Sequence, residues 1–596
     1  MSVALLNSVC RSFKKVSACA VIGVLPYLVG DVSAAAETHL QDANKALLEA
    51  AKSGNFAAAK EALKKGGQPN ARVPGNGLNW TPLTEAIEYN HFRIVELLLD
   101  HGGDPYLEDE NHDPAIVFAA EKKKERILRL LLSRGVPIDY RDSQGRTALE
   151  RKIASEQVEP NISDDIELLI QLGADPKQPT SEGGNLLMPA VLSDAIKSLD
   201  TLVRHGVDIN GKDDDGNTPL LLAVDQLRDR CIEYLLKVGA NVNAQNRHGD
   251  TALFLAARYR SSAPELLLKY QPDVSLANVD GDTPLMRAVE GGPIERIRAI
   301  LDRGANIRAR NKEGKEAIHF AAGYAGWLWE EAERAREREN QFKIIQFLQD
   351  RGADLKAQTD SGESALYFAA ASGYPGVVSL LIEKGFDPGK TDNNGDTPLH
   401  AAIRSHSEGK DEKLKLLVKA AVNTANKKGD TPLLLAVSSM DRSACSLLLD
   451  NGASVDVTNN DHETPLLLAA SSFNRQFVEP NDYIEIIGRL VDKTSNIDSR
   501  DGRMMTAAMW AAASNFPEAL KSILVKGADL KARSGDGRTC LMWAASANAI
   551  RTIQVLLSSG ADIKEKDNMG HTAADWARLL DYKAAIDLLA NRSANE

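Results

Sequence analysis

The chain is poor in the side chains that build catalytic and metal centres. It has five cysteines and eleven histidines in 596 residues. Two of the cysteines, Cys10 and Cys19, fall in the first twenty positions, and Cys231, Cys445 and Cys540 stand far apart. No HExxH, CxxC, phosphate-binding GxxxxGK, GxGxxG or GxSxG sequence occurs, which removes the common signatures of zinc peptidases, redox dithiols, nucleotide enzymes and serine hydrolases. The acidic runs 213–217 (DDDGN) and 392–396 (DNNGD) lack the D-x-[DN]-x-[DN]-G order of a calcium loop. Positive charge is in deficit, with 71 Lys and Arg against 83 Asp and Glu and a formal net charge of −12. That balance argues against direct nucleic-acid binding, which needs a basic stripe. Long apolar runs are absent after residue 30, so no later segment spans a bilayer.

The N-terminus is the exception. Arg11, Lys14 and Lys15 precede a 15-residue apolar run, Val16 to Gly30, and then DVSAAAE with Ala34 and Ala36 in an A-x-A arrangement. This is the three-part pattern of a secretory signal peptide cleaved after Ala36, so residues 1–36 are assigned to the signal and 37–44 to a short linker. The run contains Pro26 and is short for a membrane span of about 20 residues. An uncleaved anchor is the alternative. The reading is an exported protein, periplasmic or secreted.

What the chain has in quantity is repetition. The phrase is TPLTEAI at Thr81, TPLLLAV at Thr218, TALFLAA at Thr251, TPLMRAV at Thr283, TPLHAAI at Thr397, TPLLLAV at Thr431 and TPLLLAA at Thr464. Anchors fall at Lys45, Thr81, Pro114, Thr147, Asn185, Thr218, Thr251, Thr283, Glu316, Ser364, Thr397, Thr431, Thr464, Thr506, Thr539 and Thr572, sixteen copies in all. Nine of the fifteen gaps are 33 residues, and register resumes after each longer gap, so the longer gaps are insertions within one array over 45–596. The insertions lie near 155–165, 323–342 and 472–483. A fixed period means stacked small units, each packing only on its neighbours.

The residues explain the unit. Leu stands two after the anchor in twelve copies and Ala five after it in fifteen, a large and a small residue on one helical face. Thr at the anchor can cap a helix whose first turn tolerates Pro. A second apolar run follows, such as FRIVELLL at 92–99, and ends on a Gly 21 residues after the anchor. Gln271, Lys419 and Thr494 replace that Gly, so these ends are expected to be strained or differently capped. Lys152 occupies the small-residue slot of copy four, where a charge is costly to bury; that copy is expected to be distorted.

The pattern resembles the ankyrin repeat, whose signature is T-P-L-H-x-A on a 33-residue unit, over all but the first forty or so residues. The resemblance implies an all-α solenoid of stacked helix-turn-helix units joined by short β-hairpin loops, with hairpins and first helices lining a concave face where protein partners bind. Layers roughly 10 Å apart place even the closest cysteines of the array about 30 Å apart, beyond any disulfide.

Candidate contacts follow from that register. The residue before the anchor is acidic at Asp250, Asp282, Glu363, Asp396, Asp430 and Glu463, either an acidic stripe for a basic partner or solvated turn residues. The residue four after it is Trp510, Trp543 and Trp576 in the last three copies, beside Met504 and Met505. This row is either a recognition ladder or semi-buried packing, since Leu fills the slot in four other copies. A pure recognition role would let Leu replace Trp543 at a cost of about 1 kcal/mol or less. Trp327 and Trp329 lie near the tip of the largest insertion. His319 and His400, the H of the signature, are expected to make structural hydrogen bonds. The sequence thus describes a monomeric protein-binding module without catalysis, metal or small-molecule cofactor. A structural spacer of the envelope and an inhibitor of another protein are the alternatives.

Overall fold

A computed structural model describes residues 25–72, 80–109, 112–154, 162–181, 183–257, 261–324, 331–471 and 480–593. Trp327, Trp329, the first 24 residues and most of the insertions near 155–165 and 472–483 lie outside these. The described residues form 32 helices and no strand, two helices for each of the sixteen anchors. The architecture is the all-α solenoid that the period implies.

Each unit is built locally. Thr218 and Thr431 sit in extended backbone and accept the N–H groups of Leu221 and Leu434, with Pro219 and Pro432 in the first helical turn. The residue two after the anchor is at most 2% exposed at Leu83, Leu220, Leu285, Leu433 and Leu541, and Ala86, Ala223, Ala288, Ala436 and Ala544 five after it are wholly buried. The small residue admits the neighbouring backbone and the large one fills the layer. A feature absent from the sequence pattern joins the two helices: a left-handed residue nine after the anchor, at Asn90, Lys123, Asp194, Leu227, Met440, Asn515, Asn548 and Asp581. Its residue types vary too much to read.

The chain divides into two units, Met1–Arg247 and His248–Glu596. In the first, the helix Leu25–Ser53 runs without a break through Ala36 and through 37–44, where the sequence places cleavage and linker. First helices pack on neighbouring first helices, as Ala115–Glu121 does on Ala148–Ala154 and Leu187–Leu192 on Pro219–Asp225. In the second, the same layering joins Ala365–Ala371 to Pro398–Arg404 and Ala507–Ala513 to Cys540–Ser546. The insertion of copy nine extends its second helix to Glu331–Asp350.

Copy four corrects one expectation. Its first helix, Ala148–Ala154, forms in register, and Lys152 is 1% exposed within it. Lys152 Nζ lies 3.3 Å from Asp165 Oδ2 and donates to the Glu121 carbonyl at 3.4 Å. The charge is paired rather than expelled, which is the condition for burying it.

The helix ends without Gly resolve as expected. Gln271 takes φ +51° on an exposed end. Lys419 is absorbed into a longer helix, Lys410–Ala421, and Thr494 and Ser495 are held by Asp456 at 2.5 and 3.0 Å. A left-handed residue with a Cβ is disfavoured by about 1–2 kcal/mol, and Gly loses part of that gain to unfolded-chain entropy. Gln271→Gly is therefore expected to stabilise copy seven by about 1 kcal/mol. Thermal melts showing no gain would mean that the turn is not strained.

Candidate protein-binding surface

The surface starts from the hairpins, which are Asx turns. The Asn278 side-chain oxygen accepts the N–H groups of Asp280 and Asp282 at 3.0 and 2.9 Å, and Asn311, Asp392, Asn426 and Asn459 repeat the geometry. Only Gln358–Ser364 and Arg500–Thr506 reach a β-bridge among the described residues. Backbone bonds tie several neighbouring tips together: Lys312 donates to the Asp280 carbonyl and Lys427 to that of Asn394. Gly281, at φ +83°, leaves no room for a Cβ, which would lie 3.0 Å from Asn311 Cα and Lys312 N.

The six acids before the anchors enter this scaffold. Asn311 Nδ2 donates to Asp282 at 2.7 Å, Asn426 Nδ2 to Asp396 at 2.9 Å, and Asn459 Nδ2 to Asp430 and Glu463 at 3.4 and 3.1 Å. Thr359 holds Glu363 at 3.1 Å. Burial works to raise the Asp396 carboxyl, but hydrogen bonds from Arg404 and Asn426 outweigh it and hold it below the usual carboxylate range. At Asp250 burial prevails and the carboxyl is raised. The stripe is a set of part-buried to buried rungs between hairpins, with its carboxylates already engaged. The sequence reading missed the other half of four rungs, the Asn five before the next anchor that meets Asp250, Asp282, Asp396 and Asp430; Glu363 and Glu463 are held within their own hairpins. It also missed a basic residue six before the anchor: Arg500 and Arg533 donate to the carbonyls of Arg533 and Lys566 in the following hairpins, at 2.8 and 2.6 Å.

The tryptophans stand in a row, each part-buried against the core. Each indole N–H donates to the start of its own hairpin: Trp510 to Asp501 at 2.8 Å, Trp543 to Ser534 at 3.1 Å, Trp576 to Asp567 at 2.8 Å. The Arg538 guanidinium lies 4.8 Å from the Trp543 ring centre and 3.5 Å from that of Trp576, bridging two copies by cation–π contact. The row thus braces the hairpins while leaving ring surface exposed. Met505 belongs to the core at 1% exposure, because its N–H is fixed by Asp501 and its apolar side chain turns inward. Met504, at φ +61°, is the exposed one at 47%.

Among the described residues no group of three or more His, Cys, Asp or Glu is placed to hold a metal. Burial raises the thiols of Cys231, Cys445 and Cys540, which are free and buried. His319 and His400 are structural: their Nδ1 atoms accept from the N–H groups of Glu316 and Thr397 at 2.9 and 3.1 Å, and their Nε2 atoms face the carbonyls of Ala357 and Asp430 at 3.1 and 3.2 Å. Burial holds both imidazoles below their usual pKa. Their stabilisation is therefore complete above about pH 6.5 and lost as the pH falls through the depressed folded values. Melting temperatures of His400→Gln and wild type should converge as the pH is lowered; a constant difference would remove this linkage.

The chain matches the family described as Ankyrin repeats (3 copies) over residues 17–109 and in overlapping windows from 153 to 326 and from 334 to 595. It is 34% identical to human Ankyrin repeat and SOCS box protein 6 over 143 residues, 24% of this chain and 34% of that protein. It is 26% identical to human Transient receptor potential cation channel subfamily A member 1 over 204 residues, 32% of this chain and 17% of that one. Over 65 residues it is 40% identical to Putative ankyrin repeat protein YahD of Escherichia coli (strain K12), 10% of this chain and 32% of that one. The chain thus spans about a third of the length of the first relative, and the likeness lies in the repeats. With the hairpin–helix–helix unit repeated on one register and matched along most of the sequence, the chain belongs to the ankyrin-repeat family.

Proposed function

We propose that this protein is an exported, monomeric, non-catalytic module that holds a protein partner on the face made by its hairpins and first helices. Ankyrin repeats are protein–protein interaction modules, and the C-terminal row supports a site here. Trp510, Trp543 and Trp576 keep ring surface exposed beside Met504 and Met569, which are 47% and 74% exposed. Aromatic and Met side chains are the types that anchor interfaces. The test is affinity capture with the mature chain, followed by binding measurements on the purified partner. Met504→Glu with Met569→Glu should weaken binding by about tenfold or more and leave melting unchanged. A partner insensitive to this pair would place binding elsewhere.

Export rests on the N-terminal charge and apolar pattern, and N-terminal sequencing of exported material should begin near Glu37. A second reading, an envelope spacer anchored by an uncleaved N-terminus, is favoured by the unbroken helix Leu25–Ser53. It requires a full-length product that leaves the membrane fraction only with detergent.

A further inference from the structure

The last three hairpins differ from a neutral surface in which charges are engaged and which are free. Asp501 accepts the N–H groups of Arg503 and Met505 and the Trp510 indole. Asp567 does the same for Met569, His571 and Trp576. Asp536 pairs with Arg538 at 2.7 Å and accepts from Ser534 at 2.5 Å, and Glu565 pairs with Arg533. The acids of this region are therefore satisfied within it. Arg503 and Lys566 are not: both are exposed, and neither side chain makes an ion pair or hydrogen bond among the described residues. Arg503 shares a hairpin with Asp501 and exposed Met504, and Lys566 adjoins Asp567, so each cation stands one or two residues from an acid that holds an outer indole of the row.

The indoles narrow what can bind there. Their N–H groups already donate inward, so only ring faces and edges meet a partner, and these reward apolar groups over polar ones. We propose that the partner presents an acidic segment with bulky apolar side chains, its carboxylates meeting Arg503 and Lys566 and its apolar groups lying on Trp510, Trp543, Trp576, Met504 and Met569. This deepens, and rests on, the reading of the face as a partner site. Protein is favoured over single-stranded nucleic acid, which also stacks on indoles, because the chain carries a net charge of −12 and a phosphate backbone needs many cations in line.

Random-peptide display on the full chain tests this. Enriched peptides are synthesised and titrated by fluorescence anisotropy against wild type, Arg503→Glu with Lys566→Glu, and a distant tip variant, Lys312→Glu. Binders should be net acidic and rich in Leu, Phe, Trp or Met. Their affinity should fall by about tenfold or more in the double variant and with added salt, but not in Lys312→Glu. Both substituted residues are exposed and unpaired, so melting should not change. Neutral or basic binders, acidic binders indifferent to the double variant, or oligo-dT held by the same two residues would each overturn the assignment. Binders lost only on substitutions in copies seven to thirteen would leave the partner-site reading standing and sink this one. A selection that returns no binder would sink both.

Discussion

Replacing Arg151 by Met is expected to loosen copies three and four by about 3–5 kcal/mol at pH 8, with a smaller loss at pH 5.5. Arg151 is 11% exposed and centres three carboxylates. Its guanidinium lies 2.7 Å from Asp113, 3.2 Å from Glu121 and 3.3 Å from Asp142. Asp113 and Asp142 are buried, so removing the cation leaves two charges without their main partner in a poorly solvated seam. Burial, reinforced by the charge of Glu121, lifts the Asp113 carboxyl to about 7 even against Arg151. A carboxyl raised on folding contributes stability that is fully present below its unfolded value near 4 and lost as the pH rises through about 7. In the variant, protonation of Asp113 at low pH relieves the defect, which is why the loss shrinks there. Hydrogen exchange of the helices 115–121 and 148–154, corrected for intrinsic rates, reports it locally. A defect of equal size at both pH values would remove Asp113 from the account.

Trp543→Leu is expected to cost about 2–3 kcal/mol in the C-terminal copies, more than a recognition-only role allows. Three losses add: the indole hydrogen bond to Ser534 at about 1 kcal/mol, part of the Arg538 contact at about 0.5–1 kcal/mol, and the smaller apolar volume at about 1 kcal/mol. Trp543→Phe keeps a ring for Arg538 and should recover about half of the deficit. Melting curves of the two variants decide the matter: equal deficits would exclude the cation–π contact, and no deficit in either would return the row to a purely recognition role. The two substitutions also alter the proposed partner surface, so binding is compared after correction for the folded fraction.

Most of the scaffold is legible in the sequence. Thr81, Pro82, Leu83 and Ala86 state a capped helix with a large and a small packing residue, and sixteen such statements on one period state a stack. The candidate site was only half legible. The tryptophans were found because they share one slot. Their tie to Asp501, Ser534 and Asp567 was missed, because those residues looked like ordinary turn formers. Met505 adjoins the start of the row in sequence, which makes it a candidate contact there, but its side chain goes to the core.

The repeat unit, its number and its register follow from local chemistry, because capping, helix periodicity and small-residue packing act within a few residues and recur at a fixed interval. Tertiary structure alone decided which charges are free. Asp396 meets Asn426 thirty residues on, and Lys152 meets Asp165 across an insertion that breaks the period. A carboxylate in the one-dimensional text is equally a docking site or an engaged rung. Distance and burial separate the two, since a charge is available to a partner only where the fold has left it solvated and unpaired.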